Sequence, residues 1–159
     1  MRKTTKLEAV LWSVALPGFG QLLNGQLIKG LTFIFLEFLI NTKSSFNNAI
    51  LYSFLGQISK AIEVVNYQWL MFYPCVYMFA MYDAYKYSTK NTPYLSFLPF
   101  VGGAYTVTVG LMYSSKLHFG DVLLGPIWLP TIFLVPRLIF GFIVRYLLMK
   151  CLKGINEYS

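Results

Sequence analysis

The sequence predicts an all-α integral membrane protein of about four transmembrane helices, together with a short or re-entrant amino-terminal helix and an interfacial amphipathic helix. Of its 159 residues, 57% are hydrophobic and only 12% are charged, far more apolar than a soluble domain of this length requires. Apolar runs of near-spanning length recur, and about 20 such residues in a helix match a hydrocarbon core about 30 Å thick. The formal charge of +7 comes from basic residues clustered at the ends of these runs, a pattern that predicts a lipid bilayer and no nucleic-acid partner.

The first apolar run, residues 7–16, is too short to cross a bilayer before the chain reaches Pro17-Gly18. Two placements stay open. Either the helix continues through Leu23 and crosses, or it enters from the basic amino end and returns as a re-entrant element. Basic residues precede this run as in a signal peptide, but no small-x-small cleavage site follows, so we expect the run to be retained.

Four further apolar runs predict spans at residues 28–42, 68–83, 94–114 and 121–147. If the first of them leaves the cytoplasm, more basic residues lie in cytoplasmic segments than in outer segments, which favours this orientation. The cytoplasmic set is Arg2, Lys3, Lys6, Lys86, Lys90, Lys150 and Lys153, and the outer set is Lys43, Lys60 and Lys116. A crossing first helix would invert the later loops. We therefore expect the re-entrant form, in a multi-pass plasma-membrane protein with cytoplasmic termini.

A stretch rich in glycine and proline after the first run predicts a tight hairpin at a membrane face. Glycine permits backbone geometry that other residues resist, and proline removes a helix donor. Side-chain amides are needed there because backbone groups left unpaired in lipid are costly. The predicted hairpin residues are Pro17, Gly18, Gly20, Gln21, Asn24, Gly25, Lys29 and Gly30. Asp83 ends the third apolar run, and we expect it to bind hairpin amides or Lys29 at the same corner.

Residues 46–65 predict one amphipathic helix that is too polar to span comfortably. Its apolar residues recur at helical spacing: Phe46, Ile50, Phe54, Ile58, Ile62 and Val65. Ser44 or Ser45 is expected to cap its amino end. The helix either lies on the outer lipid surface or over the bundle, or it forms a docking surface for a partner helix.

The carboxy-terminal half combines a small-residue helix face with a proline-rich final run. Gly102, Thr106 and Gly110 repeat every four residues, which lets another backbone approach closely. A polar outer loop is predicted at 113–121. Prolines interrupt the first half of the last run, so a regular helix is expected only over residues 137–152.

The chain divides at the basic linker near residue 90 into a hairpin region, 1–90, and a carboxy-terminal helix pair, 91–159, with no soluble domain.

Tyrosines and Trp69 in the 68–83 run suit a membrane interface. Cys75 and Cys151 are far apart in sequence and are expected to be ordinary thiols, without a disulfide or a metal.

Over residues 5–87 the chain resembles the bacterial branch of the TM2-type membrane proteins. The resemblance rests on the Pro-Gly-x-Gly-Gln turn from Pro17, on Asn24-Gly25, on Lys29-Gly30 and on Tyr82-Asp83-Ala84-Tyr85. The chain departs from the eukaryotic pattern at Gln21-Leu22-Leu23 and inserts residues 43–66. The resemblance implies a bacterial membrane location and a helical-hairpin architecture, and it implies no particular chemistry.

Ionisable side chains within predicted spans are the main functional candidates, because charge is expensive in a membrane. Glu37 lies about two turns into its span, where it is either protonated, paired with a basic residue or part of an ion path. Arg137 follows Pro136 and is expected to bind carbonyls freed by the broken backbone.

Catalysis is not expected, and neither is a cofactor. His118 is the only histidine, so a histidine-based metal cluster is excluded, and a serine-histidine-aspartate set would rest on one outer loop with Ser114, Ser115 and Asp121. Nucleotide-binding and metalloprotease motifs do not occur. The sequence thus favours a non-catalytic accessory or scaffold protein that binds other membrane proteins or itself. The alternatives are a small transporter or channel subunit using Glu37 and, less favoured, a membrane-embedded enzyme.

Overall fold

The backbone is mostly α-helical, which confirms the predicted all-α class. The computed structural model describes residues 4–89 and 91–157, within which nine helices and one two-residue strand pair follow in chain order. They are α1 Lys6–Ala15, α2 Phe19–Leu23, α3 Leu27–Ser44, α4 Phe46–Phe54, α5 Ile58–Val64, α6 Tyr67–Leu70, α7 Tyr73–Ser88, α8 Leu98–Tyr113, β1 His118–Phe119, β2 Val122–Leu123 and α9 Gly125–Glu157. Arg2, Lys3 and Lys90, and the side chains of Cys151 and Lys153, lie outside the described part.

Of the helices in the described residues, one is long and apolar enough to cross a membrane by length and composition. It comprises the first 26 residues of α9, Gly125–Lys150, and little of it is buried inside the fold. Helix α8 is apolar but shorter, with 16 residues. Helices α3 and α7 contain 18 and 16 residues, or about 27 and 24 Å at 1.5 Å per residue.

The first helix is short and ends where the sequence predicts a break. A capping box starts α1, because the Thr5 side chain accepts from the Glu8 amide and the Glu8 side chain from the Thr5 amide. Leu16 is extended and Gly18 has a φ of 107°, so the chain turns before α2. Helix α2 then ends at Gly25 in a Schellman motif, in which the Gln26 amide donates to the Gln21 carbonyl at 2.9 Å.

The prediction of one continuous helix over 46–65 is wrong, because α4 and α5 are separate helices packed against each other. Gly56 has a φ of 73° and ends α4 in a second Schellman motif, with the Gln57 amide donating to the Tyr52 carbonyl at 2.8 Å. The buried positions are the small residues Ala49, Ser53 and Ala61, whereas Phe54 is exposed. Both helices also contact α9.

The expected serine cap of α4 is also wrong. Ser45 lies at the cap position with a φ of 56°, and its side chain makes no capping hydrogen bond. Asn41 takes this role instead, since its side-chain oxygen accepts from the Asn47 amide at 3.2 Å.

The final run forms one continuous helix, so the prediction that its first half is irregular is wrong. Pro130 and Pro136 lie inside α9. Each removes one backbone hydrogen bond, but its fixed φ suits a helix, and packing against a neighbouring helix makes prolines tolerable in apolar surroundings. The Thr131 hydroxyl additionally donates to the Ile127 carbonyl at 2.7 Å.

Helices α8 and α9 pack closely because glycine faces proline at both ends of their contact. A Cβ on Gly110 would lie 2.7 Å from Pro130 Cα, and a Cβ on Gly141 would lie 2.9 Å from Pro99 Cα. The small-residue face predicted on α8 is therefore occupied within the chain and does not present a free surface to another protein.

The end of the fold opposite the Pro17-Gly18 hairpin carries a hydrophobic core cluster and a short β-hairpin. Ala49, Val65, Leu70 and Leu111 form a buried cluster. Near it, β1 lies in the predicted polar loop 113–121 and pairs antiparallel with β2, which lies just after that loop at the start of the predicted span 121–147. Ser114 is fully buried, so the start of that loop belongs to the core.

Candidate functional site

The predicted hairpin forms a polar corner where α2 and α3 meet α7. Gln21 is fully buried, and its side-chain amide donates to the Ala80 carbonyl at 2.7 Å and to the Asp83 carboxylate at 3.2 Å. The Asn24 amide donates to the Ala84 carbonyl at 2.8 Å. These two amides therefore bind the carboxy-terminal half of α7 rather than backbone groups of the hairpin.

Asp83 is the acceptor at the centre of this corner. Its carboxylate lies 2.9 Å from Lys29 Nζ, and its side chain is 7% exposed whereas that of Lys29 is 45% exposed. The Lys29 ammonium also lies 4.1 Å from the centroid of the Tyr87 ring. Both contacts expected for Asp83, to a hairpin amide and to Lys29, are thus present in the structure.

Gly18, Gly20 and Gly30 are buried in the corner and leave no room for side chains. A Cβ on Gly20 would meet the Ala9 carbonyl and lie 2.6 Å from Ala84 Cβ. A Cβ on Gly18 would meet the Gly30 carbonyl, and one on Gly30 would meet the Leu22 side chain. The buried ring of Pro17 lies beside them. Gly25 differs, because open space surrounds it and only its φ of 76° favours glycine.

Glu37 is buried on the inner face of α3 and binds a tyrosine. The Tyr73 hydroxyl donates to its carboxylate at 2.5 Å. Tyr73 stacks on Tyr77 with 5.3 Å between ring centroids, and the Tyr77 hydroxyl donates to the Val14 carbonyl. No ion pair involves Glu37 among the described residues. Three alternatives were open for Glu37: protonation, pairing with a basic residue or a place in an ion path. The structure does not contain the pairing with a basic residue.

Arg137 does not bind freed carbonyls, which was its expected role. Its Nε atom is buried between α8 and α9 without an acceptor among the described residues. The guanidinium lies beside Gly102, where an added Cβ would be 2.8 Å from Nε, and 5.1 Å from the centroid of the Phe140 ring. The missing side chain at Gly102 makes the space that Arg137 occupies.

The serine, histidine and aspartate side chains of the 113–121 loop form no hydrogen-bonded catalytic set in the structure. The Ser114 hydroxyl is buried, donates to the Leu111 carbonyl at 2.7 Å and lies 3.1 Å from the Tyr67 hydroxyl. Burial raises the pKa of Tyr67, which keeps the phenol neutral. His118 is exposed, with Nδ1 2.9 Å from the Lys116 carbonyl. Among the side chains that the structure describes, no group of three His, Cys, Asp or Glu is arranged to hold a metal.

Tyr73 and Tyr77, whose residue type predicts the membrane interface, instead use their hydroxyls in hydrogen bonds within the fold, to Glu37 and to the Val14 carbonyl. A usable signal existed, because tyrosines four residues apart share one helix face and Glu37 needed a donor in a neighbouring span. Comparisons with models of known protein families, with curated proteins and with solved structures find no match.

Proposed function

We propose that this chain is a non-catalytic multi-pass protein of the bacterial plasma membrane that binds other membrane proteins or a second copy of itself. The observation that carries the proposal is a large apolar surface. Large hydrophobic side chains are exposed on every long helix, including Phe35, Phe79, Tyr105 and Ile139. So many exposed large apolar side chains are unfavourable in water and indicate contact with lipid or protein.

The membrane part of the proposal consists of four spans formed by α3, α7, α8 and α9. Helix α1, with ten residues, is about 15 Å long and enters the bilayer without crossing it. In this layout the 86–92 linker and both termini are cytoplasmic, and the hairpin of β1 and β2 is external. A TM2-type relationship over residues 5–87 is part of the same proposal and is supported by the polar corner, since its motif residues meet there.

The outward face of α3 is the proposed docking surface. Four large side chains on it recur at spacings of three and four residues and are exposed by 83%, 54%, 64% and 75%, namely Ile28, Leu31, Phe35 and Phe38. This spacing forms one stripe, which suits packing against another helix. The opposite face of α3 packs inside the fold, where Phe33, Glu37 and Ile40 are buried. With the small-residue face of α8 occupied by α9, α3 is the edge that supports partner binding best.

Site-specific photo-cross-linking in native membranes tests the docking surface. A photoreactive residue replaces Phe35, and a matched control replaces Tyr105, which is 69% exposed on α8. We expect a discrete protein adduct from position 35 and none from position 105. An adduct of twice the chain mass identifies a second copy, and any other mass identifies a different partner. Equal adducts from both positions, or none from position 35, would contradict the proposal.

A further inference from the structure

An apolar cleft of about 630 Å³ runs along the junction of α7 and α8. Its lining includes Met78 of α7 and Val107 of α8, together with Val14 of α1 and Leu134 of α9. Along α9 its lining extends from Pro126 to Phe142, which corresponds to about 24 Å at 1.5 Å per residue. The cleft therefore extends over most of the thickness of a hydrocarbon core.

The cleft is long and narrow, with about 24 Å of length along α9 and about 630 Å³ of space. A slender hydrocarbon chain has the right shape. Apolar cavities of this kind do not hold ordered water, because water needs polar partners.

Two cations mark one end of the cleft. Lys6 lies one helical turn before Val10 on α1, and Arg145 lies one turn after Phe142 on α9, and both Val10 and Phe142 line the cleft. Lys6 Nζ donates to the Asn91 carbonyl, and Arg145 Nε donates to the Tyr94 carbonyl at 3.2 Å. These carbonyls are three residues apart, so at most about 11 Å of chain separates them.

Among the side chains that the structure describes, no carboxylate forms an ion pair with Lys6 or Arg145. In the described part of the chain the ion pair is Lys29–Asp83, which lies at the hairpin corner. Each cation donates one hydrogen bond to a backbone carbonyl between α7 and α8, and an ammonium and a guanidinium carry further donors for an anion. Basic groups at the cytoplasmic end of spanning helices attract anionic lipid headgroups.

We propose that the cleft binds one anionic phospholipid, with an acyl chain along α7 and α8 and its phosphate between Lys6 and Arg145. The inference rests on the membrane location in the proposed function and not on the α3 docking surface. We expect this lipid to stay bound in the cleft when bulk lipid is removed.

Native mass spectrometry of the full chain in mild detergent tests this proposal, with phosphatidylglycerol and phosphatidylcholine of identical acyl chains as probes. We expect wild type to retain phosphatidylglycerol preferentially. Lys6→Gln/Arg145→Gln should lose that preference, by about five-fold for each cation removed. Lys6→Arg/Arg145→Lys keeps both charges and should keep it. The control Lys43→Gln/Lys116→Gln removes two exposed cations at the other end of the bundle and should also keep it.

The hydrocarbon half is tested by Val107→Phe, which places a larger side chain in the lining of the cleft and should lower retention of both lipids. Val10→Phe, also in the lining, serves if the first variant melts below wild type. Equal retention of the two lipids by wild type, no retention of either, or equal loss in the Lys43/Lys116 control would overturn the proposal. A chain found outside the membrane fraction would overturn the proposed function itself, whereas a membrane-embedded chain without bound lipid overturns this inference alone.

Discussion

Tyr73 and Glu37, 36 positions apart in the chain, are joined by a 2.5 Å hydrogen bond between α7 and α3. Glu37 is 9% exposed on an otherwise apolar face. Tyr73 also contacts Phe46, with 4.7 Å between ring centroids, so one side chain connects three helices. The bond lets α3 and α7 pack although α3 carries a buried carboxyl group.

Removing the hydroxyl in Tyr73→Phe should destabilise the protein by about 1–3 kcal/mol, because the buried Glu37 oxygen loses its donor. The change is measured as a lower melting temperature in detergent. Tyr105→Phe, on the exposed face of α8, is the matched control and should melt like wild type. If Tyr73→Phe melts like the control, the hydrogen bond does not stabilise the fold.

Gly20→Val should greatly reduce the yield of folded protein. A Cβ there meets the Ala9 carbonyl and Ala84, and both belong to helices fixed by other contacts. Overpacking of this kind costs about 1–3 kcal/mol or more. Gly25→Asn is the control, since Gly25 has open space around it and asparagine tolerates its positive φ. Folded yield is read as the monodisperse fraction by size-exclusion chromatography, and a normal fraction for Gly20→Val would refute the close approach.

Local turn chemistry explains which parts of the fold were predictable. Pro17-Gly18 breaks a helix wherever it occurs, so the first bend is visible in the sequence. Gly56 uses the same Schellman geometry as Gly25, yet the amphipathic spacing on both sides of it masked the break. A proline such as Pro130 predicts a helix break. Pro130 nevertheless lies within α9, because Gly110, 20 residues earlier, has no side chain to clash with it. That compensation is a tertiary contact, which a local pattern does not contain.

The Lys29–Asp83 corner and the Glu37 site also differ in whether a local sequence pattern predicts them. Lys29 and Asp83 are opposite charges at the ends of neighbouring apolar runs, so their pairing follows from the hairpin. The Glu37 partner is a tyrosine, a residue type that suits the interface as well as the interior, and only the packing of α3 on α7 selects Tyr73. Arg137 was assigned to carbonyls because of Pro136, but the continuous α9 leaves its guanidinium beside Gly102 instead.

Lys29→Met should destabilise the corner by about 1–2 kcal/mol, since it leaves the Asp83 carboxylate nearly buried without its cation; the half-exposed lysine limits the effect. Asp83→Asn in the Lys29→Met background should recover part of this loss, because a neutral amide oxygen still accepts from Gln21. Chemical unfolding of both variants and of Asp83→Asn completes a double-mutant cycle. Additive effects would show that the ion pair contributes nothing.

Purified protein in liposomes should carry no proton or ion flux, and Glu37→Gln should behave like wild type. The physical reason is that the Tyr73 hydroxyl donates to the Glu37 carboxylate and the Tyr77 hydroxyl donates to the Val14 carbonyl, so each of these polar groups already has a hydrogen-bond partner within the fold. A pH-sensitive dye inside the vesicles measures proton flux under an imposed potential, and a known ionophore added at the end shows that the vesicles are sealed.

Glu37→Gln keeps the size and an acceptor oxygen of the side chain, so its folding is preserved and the comparison isolates the ionisable group. Flux in wild type that disappears in Glu37→Gln would replace the scaffold proposal with transport through α3 and α7, whereas flux in neither, together with an adduct at position 35, would leave partner binding as the function that both experiments support.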